Sequence, residues 1–235
     1  MSGRIVLVTG GSRGIGRAGE ARVAAAGDKV IATARHPATQ SMPKGTDFHA
    51  CDGADPAAVA ALFNQIEAAH GRLDVLVNNA GMAGGNRLDG DDDLWHRILA
   101  TNLNGSYYCA KAALPLLPDG SGRIVNIASV LGLFGVPDQT AYCAAKHGVI
   151  GFTRALAKAL GPRRITVNAV CPGWVRTGMA AQRLAELGID ETTAGQDSAT
   201  GRITEPEEVA ALVAFLASAD AANITGQALP IDGGG

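Results

Sequence analysis

Seven short runs, at residues 5–9, 29–33, 47–50, 73–77, 123–127, 165–170 and 228–231, are dominated by apolar and β-favouring side chains, and most are too apolar to leave one face in water. That is the composition of strands covered on both sides. Between them lie Ala-rich stretches at 17–26, 56–69, 95–117, 144–160 and 206–217, whose apolar positions recur at helical spacing. Strand and helix alternate, which favours right-handed crossovers. The pattern predicts an α/β chain of the Rossmann type: a doubly wound parallel sheet of about seven strands with helices on both faces. Such a sheet collects its ligands beyond the carboxyl ends of its strands.

No internal repeat and no Pro/Gly/Ser linker divides the 235 residues, so the expectation is a single domain over 1–235. One segment, 178–204, breaks the rhythm. Met179, Leu184 and Leu187 share a helical face there, and a polar stretch of Thr, Gly, Asp and Ser follows, which reads as an irregular lid over a binding cleft.

Composition narrows the partners. A formal charge of -2 offers no cationic excess for a phosphate backbone, so nucleic acid is not expected. No apolar run reaches the roughly 18 residues of a membrane-spanning helix, so no membrane association is expected. The start of the chain, Met1-Ser2-Gly3-Arg4, lacks signal-peptide features, and the expected location is cytoplasmic. Cys51, Cys109, Cys143 and Cys171 have no pairing or metal spacing and read as reduced, buried thiols. The five histidines show no ligand spacing either, so no metal is expected.

The first strand runs into Thr9-Gly10-Gly11-Ser12-Arg13-Gly14-Ile15-Gly16, and a helix follows. Glycines there let backbone N–H groups approach a pyrophosphate, and the helix N-terminus adds about half a positive charge. About 20 residues further on, a dinucleotide site selective for the unphosphorylated ribose would carry Asp or Glu. Here the second strand ends Ala32-Thr33-Ala34-Arg35, without a carboxylate. Arg35, and Arg13 inside the turn, would suit a 2′-phosphate through charge-assisted hydrogen bonds, which predicts NADP(H).

With these residues in view the sequence resembles the short-chain dehydrogenase/reductase family, in the branch whose turn reads T-G-x-x-x-G-x-G. The resemblance runs nearly end to end, through Cys51-Asp52, Asn78-Asn79-Ala80-Gly81, Thr101-Asn102-Leu103-Asn104-Gly105, Ser129, Tyr142-Cys143-Ala144-Ala145-Lys146 and Pro172-Gly173-Trp174-Val175-Arg176-Thr177. It departs at Gly53, where a β-branched residue is frequent. The resemblance implies that Gly10, Ser12, Arg13, Gly14, Ile15, Gly16 and Arg35 bind the phosphates of the cofactor. Asp52 would hold the adenine amino group, and Asn78 to Gly81, Ala80 included, would line the adenosine side. Pro172, Gly173, Val175 and Thr177 would settle the nicotinamide, with Tyr142 and Lys146 also touching the cofactor. Asn102, Ser129, Tyr142 and Lys146 would form the catalytic tetrad, and a homodimer or homotetramer would form through the helices at 95–117 and 144–160.

The residue chemistry agrees with those roles. Carbonyl reduction needs a proton donor within reach of the oxygen, and a phenol with an ordinary pKa of about 10 needs tuning. Tyr142 and Lys146 are four apart on a predicted helix, so one face carries both, and the ammonium together with an oxidised nicotinamide is expected to lower the phenol. Ser129 follows a strand, where its hydroxyl could meet a developing oxyanion. Asn102, a poor choice inside a helix, would hold a water relaying protons to Lys146. The pocket would draw on Val130, Leu131, Gln139, Trp174 and 178–204, with Arg176 and Arg183 at the surface. The predicted activity is hydride transfer between nicotinamide and a small carbonyl or secondary-alcohol substrate, with ketone reduction favoured. A non-catalytic NADP-binding regulator and a sugar-nucleotide epimerase or dehydratase are the alternatives.

Overall fold

The computed structural model describes residues 3–36, 42–90 and 92–235; Met1 and Ser2, on which part of the N-terminal reading rests, lie outside them. Seven parallel strands, β1 (Ile5–Thr9), β2 (Lys29–Ala34), β3 (Thr46–Ala50), β4 (Val75–Asn78), β5 (Arg123–Ile127), β6 (Thr166–Pro172) and β7 (Ala228–Ile231), form one sheet. Their order is β3-β2-β1-β4-β5-β6-β7. The chain therefore winds outward one way from β1 and the other way from β4. That reversal opens a crevice at the carboxyl ends of these two strands.

Alternation along each strand divides the core in two. Ile5, Leu7 and Ile31 face α2 (Pro56–His70), α4 (Gly105–Ala113) and α5 (Thr140–Leu160), and pack with Leu62, Phe63, Ile66, Ala110 and Leu160. Their neighbours Val6, Val8 and Val30 face α1 (Gly14–Ala25) and α8 (Pro206–Leu216), against Val23, Val209 and Val213. Helices thus cover both faces, as the apolar strands require.

Two predicted elements differ in detail. The stretch expected as one helix over 95–117 is α3 (Asp92–Leu99), a π-helical turn at Ala100–Asn104, and α4. Thr101, Asn102 and Asn104 are poor helix formers, and the Asn102 side chain bonds elsewhere, so the regular ladder is interrupted here. The segment expected as irregular contains α6 (Gly178–Leu187) and α7 (Glu191–Gln196). Each has a side-chain cap: Thr177 accepts from the Ala180 N–H and Asp190 from the Thr193 N–H. Gly188, in a left-handed conformation, ends α6. Among the described residues no helix is long and apolar enough to cross a membrane, and all four cysteines are free.

Polar groups inside the sheet pin its site-bearing ends. Asn126 in β5 is fully buried, donates to Thr153 Oγ1 of α5 at 2.8 Å and accepts from Asn78 Nδ2 of β4 at 2.9 Å. Removing such a hub strands two buried partners. Asn126→Ala should lower unfolding stability by roughly 2–4 kcal/mol, read from urea unfolding; a loss below about 0.5 kcal/mol would show that the Asn78, Asn126 and Thr153 network does not carry this load.

Candidate functional site

The turn after β1 is held by the turn after β4. Asn79 Nδ2 donates to the carbonyls of Thr9 at 2.8 Å and Gly10 at 3.1 Å, while Thr9 Oγ1 accepts from the N–H groups of Asn79 and Ala80, each at 3.0 Å. Glycine is required by this approach. Gly10 has a φ of 68°, and a Cβ on it would stand 2.8 Å from Ala80 Cα. The turn then delivers α1 with Arg13 as an extended N-cap that makes no side-chain capping bond. The first-turn N–H groups are consequently free to receive an anion.

A cavity of about 930 Å³ begins there. Gly10, Ser12, Arg13, Gly14, Ile15, Arg35, Asp52, Ala80 and Gly81 line one end of it. Arg13 and Arg35 are both exposed, from separate segments, at its wall. Asp52 is fixed by the Ala54 N–H, which its Oδ1 accepts at 3.0 Å. Gly16 lies behind the turn, where a Cβ would come within 2.5 Å of the Gly10 carbonyl oxygen. Asn78 does not line the cavity: its amide is turned toward Asn126 and the Ser106 carbonyl. Asn79, within the expected stretch 78–81, does line it and stitches the cradle.

Pro172, Gly173, Val175 and Thr177 line the cavity from the end of β6, and Ser129, Tyr142 and Lys146 from β5 and α5. Ser129 caps a short 3-10 turn, its Oγ accepting the Leu131 N–H at 3.1 Å, so its own proton is left to point elsewhere. Its hydroxyl faces the Tyr142 phenol closely enough to act on it in the direction that lowers its pKa. Lys146 is buried and donates to the Ile127 carbonyl at 2.7 Å, with Nζ 5.5 Å from the Tyr142 ring centroid.

Burial dominates the electrostatics of this pair. Desolvation pushes Tyr142 up to about 12, against the influence of Ser129, and brings Lys146 down to about 8. The expected lowering of the phenol by the ammonium therefore does not come from the protein's own groups. Lys146 spends a donor on Ile127, and the low dielectric disfavours both charged forms.

Asn102 sits in the π-helical turn, buried, and does not line the cavity. Its Oδ1 accepts the Met82 N–H and its Nδ2 donates to the Met82 carbonyl, both at 2.8 Å. A Cβ on Gly81 would lie 3.4 Å from Asn102 Oδ1 and 3.8 Å from Lys146 Nζ, which locates all three groups at one point.

Val130, Leu131, Gln139 and Trp174 form the remaining wall with Met179 and Leu187 of α6, and Phe134, 52% exposed, stands at the rim. Arg183 differs from its expected surface position. Its side chain is only 13% exposed, and it lines the cavity while pairing with Asp138 and, at 3.1 Å, with Glu186. Asp138, from the loop before α5, draws the guanidinium inward, and Glu186 on the same helix pairs with its other end. Arg176 is 51% exposed and paired with Glu205 and Glu191.

Comparison with known proteins agrees with this geometry. A family model described as enoyl-(acyl carrier protein) reductase matches residues 10–235. The 3-oxoacyl-(acyl-carrier-protein) reductase FabG of Haemophilus influenzae is 41% identical, over 100% of this chain and 98% of that protein. The meso-2,3-butanediol dehydrogenase of Serratia marcescens is 40% identical, over 98% and 94% respectively. Among solved structures, a variant actinorhodin polyketide ketoreductase with NADPH superposes with a TM-score of 0.91 at 37% identity, covering 98% of this chain and 96% of that one. With a glycine cradle at one end of the cavity, a Ser, Tyr and Lys cluster at the other and relatives matching from end to end, the chain belongs to the short-chain dehydrogenase/reductase family.

Proposed function

We propose that this oxidoreductase reduces ketones with NADPH, with Tyr142 as the proton donor. The observation that carries the reading is one continuous cavity joining the uncapped N-terminus of α1, flanked by Arg13 and Arg35, to the Ser129, Tyr142 and Lys146 cluster. The cradle suits a dinucleotide phosphate: close-packed glycines, unspent N–H groups and two guanidinium groups with no carboxylate at the end of β2. The NADPH named with the structurally similar polyketide ketoreductase supports the choice.

NADPH supplies the hydride when bound, and the chain's own residues supply the rest. Ser129, its oxygen already accepting from Leu131, donates its proton toward the substrate oxygen and stabilises charge growing there. Tyr142, held near 12, keeps its proton at neutral pH and passes it to that oxygen as the alkoxide forms. Lys146, anchored on Ile127, stabilises the phenolate left behind. The Asn102 amide is occupied by Met82 and its backbone carbonyl accepts from Ser106 Oγ at 3.2 Å, so its side chain acts as a positioning group for Gly81 and Met82 beside Lys146.

On the substrate side, Phe134, Met179 and Leu187 present apolar surface, and the guanidinium groups there are neutralised, Arg183 by Asp138 and Glu186 and Arg202 by Glu208. This lining favours a ketone with an apolar tail over a polyol or a free carboxylate. The segment 178–204, with its two capped helices, is the substrate lid of a single domain spanning 1–235. Tyr107, exposed on α4 and in edge contact with Phe152 of α5 at 6.2 Å, supports self-association through those helices into a homodimer or homotetramer.

Tyr142→Phe should cut ketone reduction by about 10²- to 10⁴-fold while NADPH titration stays close to wild type; undiminished turnover would remove Tyr142 from the mechanism. Arg35→Asp should move the ratio of NADP(H) to NAD(H) affinity roughly ten- to a hundredfold toward NAD(H), the size of one or two charge-assisted hydrogen bonds, and an unmoved ratio would exclude Arg35 from the phosphate. Because the phenol sits high, oxidation of the product alcohol, which needs the phenolate, should climb with pH through the alkaline range, whereas ketone reduction should not. Parallel pH profiles in the two directions would contradict that role.

A further inference from the structure

One charged residue near the cradle has no part in this mechanism. Glu20 lies on the inner face of α1 with Gly16, Gly19 and Val23, and its relative exposure is 0%. Neither of its carboxyl oxygens has a hydrogen-bond partner. It occupies the space that a side chain at residue 11 would take: a Cβ on Gly11 would stand 1.5 Å from Glu20 Oε1, 2.7 Å from its Cδ and 3.1 Å from the Ala32 Cβ. The carboxyl group is therefore lodged between the glycine turn and β2, directly behind Gly11, whose N–H bonds to the Thr33 carbonyl at 2.9 Å. The neighbouring Gly10, Ser12 and Gly14 line the cavity.

We propose that Glu20 is a proton-dependent determinant of cofactor affinity, which as a neutral acid fills the space behind Gly11 and as a carboxylate sets a negative charge behind the turn that receives the cofactor's phosphates. This rests on the dinucleotide reading of the cradle. A carboxylate without partners is expensive in a core, whereas the neutral acid needs far less compensation. Burial accordingly raises Glu20 to about 8, so both forms are populated within a degree of alkalinity that the folded protein can meet. The charged groups around it are few. Arg17, on the same helix, pulls the other way. The strands β1 and β2 carry no titratable side chain apart from Lys29 at the opposite end of β2. Arg13 stands in the turn, Arg35 and His36 follow β2, and α8, packed on α1, carries Glu207 and an Arg202-paired Glu208 in its first turn. None of these gives the Glu20 oxygens a hydrogen bond.

The sign of the effect is fixed by linkage. An anion bound in front of the turn disfavours ionisation behind it, so binding raises the carboxyl pKa further and takes up a proton wherever free Glu20 is ionised. Affinity is then constant well below pH 8 and falls above it.

The test is the dissociation constant of NADPH, followed by nucleotide fluorescence from about pH 7 to about pH 9.5, for the wild type and for Glu20→Gln. Over this range the 2′-phosphate is already ionised, its second pKa being near that of other phosphate monoesters, about 6. Lys146 titrates here too, but equally in both proteins. The wild type should weaken on the order of tenfold more than the variant, the size of a unit charge acting over roughly 10 Å at an effective dielectric of about 20. Glu20→Ala should behave like Glu20→Gln, which guards against a local effect of the amide. An independent measurement uses the wild type alone: binding enthalpies at pH 8.5 in buffers of different ionisation heat should reveal net proton uptake, reduced in Glu20→Gln. Superimposable pH profiles, or equal proton uptake in the two proteins, would overturn the role of Glu20 and leave the cofactor reading intact. Absence of NADPH binding in either protein at any pH would overturn the cofactor reading and this inference together.

Discussion

β1 and β4 lie side by side, yet the chain leaves them in opposite directions and opens a gap at their carboxyl ends. Everything functional in the molecule depends on how that gap is held. Thr9 and Asn79 do so with hydrogen bonds from side chain to backbone in both directions, drawing the turn after β1 against the turn after β4. The first turn carries α1, whose N-terminus has no side-chain cap, and the second runs on to Gly81 and Met82, which Asn102 fixes next to Lys146. A contact between two loops thus ties the glycine end of the cleft to the end that holds Ser129, Tyr142 and Lys146.

Inside that frame, desolvation is the strongest influence on the titratable groups. Lys146 is brought down and Tyr142 up by the same cause, which leaves a protonated phenol beside an ammonium that is not far from neutrality. For a reductase this is a serviceable arrangement. In the proposed reduction, the acid would be retained until an alkoxide is present to claim its proton, and the cation would be available to the phenolate only when one forms.

Much of this was legible in the residues themselves. Strands covered on both faces announce themselves as unbroken apolar runs, and the turn at 9–16, Arg35 and the Tyr142 and Lys146 spacing all express local backbone rules. What escaped was decided by tertiary partners. Arg183 reads as a surface residue on its own helix, and only Asp138, 45 residues away, turns it inward. Asn102 reads as a side chain serving a water, but Met82 claims both ends of its amide. In 178–204 the helical face of Met179, Leu184 and Leu187 is α6, whereas α7 rests on a short local signal, the Asp190 cap, easily lost in a polar stretch. Glu20 falls on a helix face that periodicity assigns to the core, and its tolerance there depends on the missing side chain of Gly11.

Asp138 lies two residues before α5 and holds Arg183 of α6, while Asn86 accepts from Thr140 and donates its N–H to the Asp138 carbonyl at 2.8 Å. The loop after β4, the start of the helix bearing Tyr142, and α6 are in this way linked as three walls of a ring. A bulky occupant that leans on α6 transmits that load through the Asp138 and Asn86 joints to the other two walls. Moving α6 away from the cleft therefore means breaking the Arg183–Asp138 pair or carrying the Asn86 and Thr140 contacts along with it.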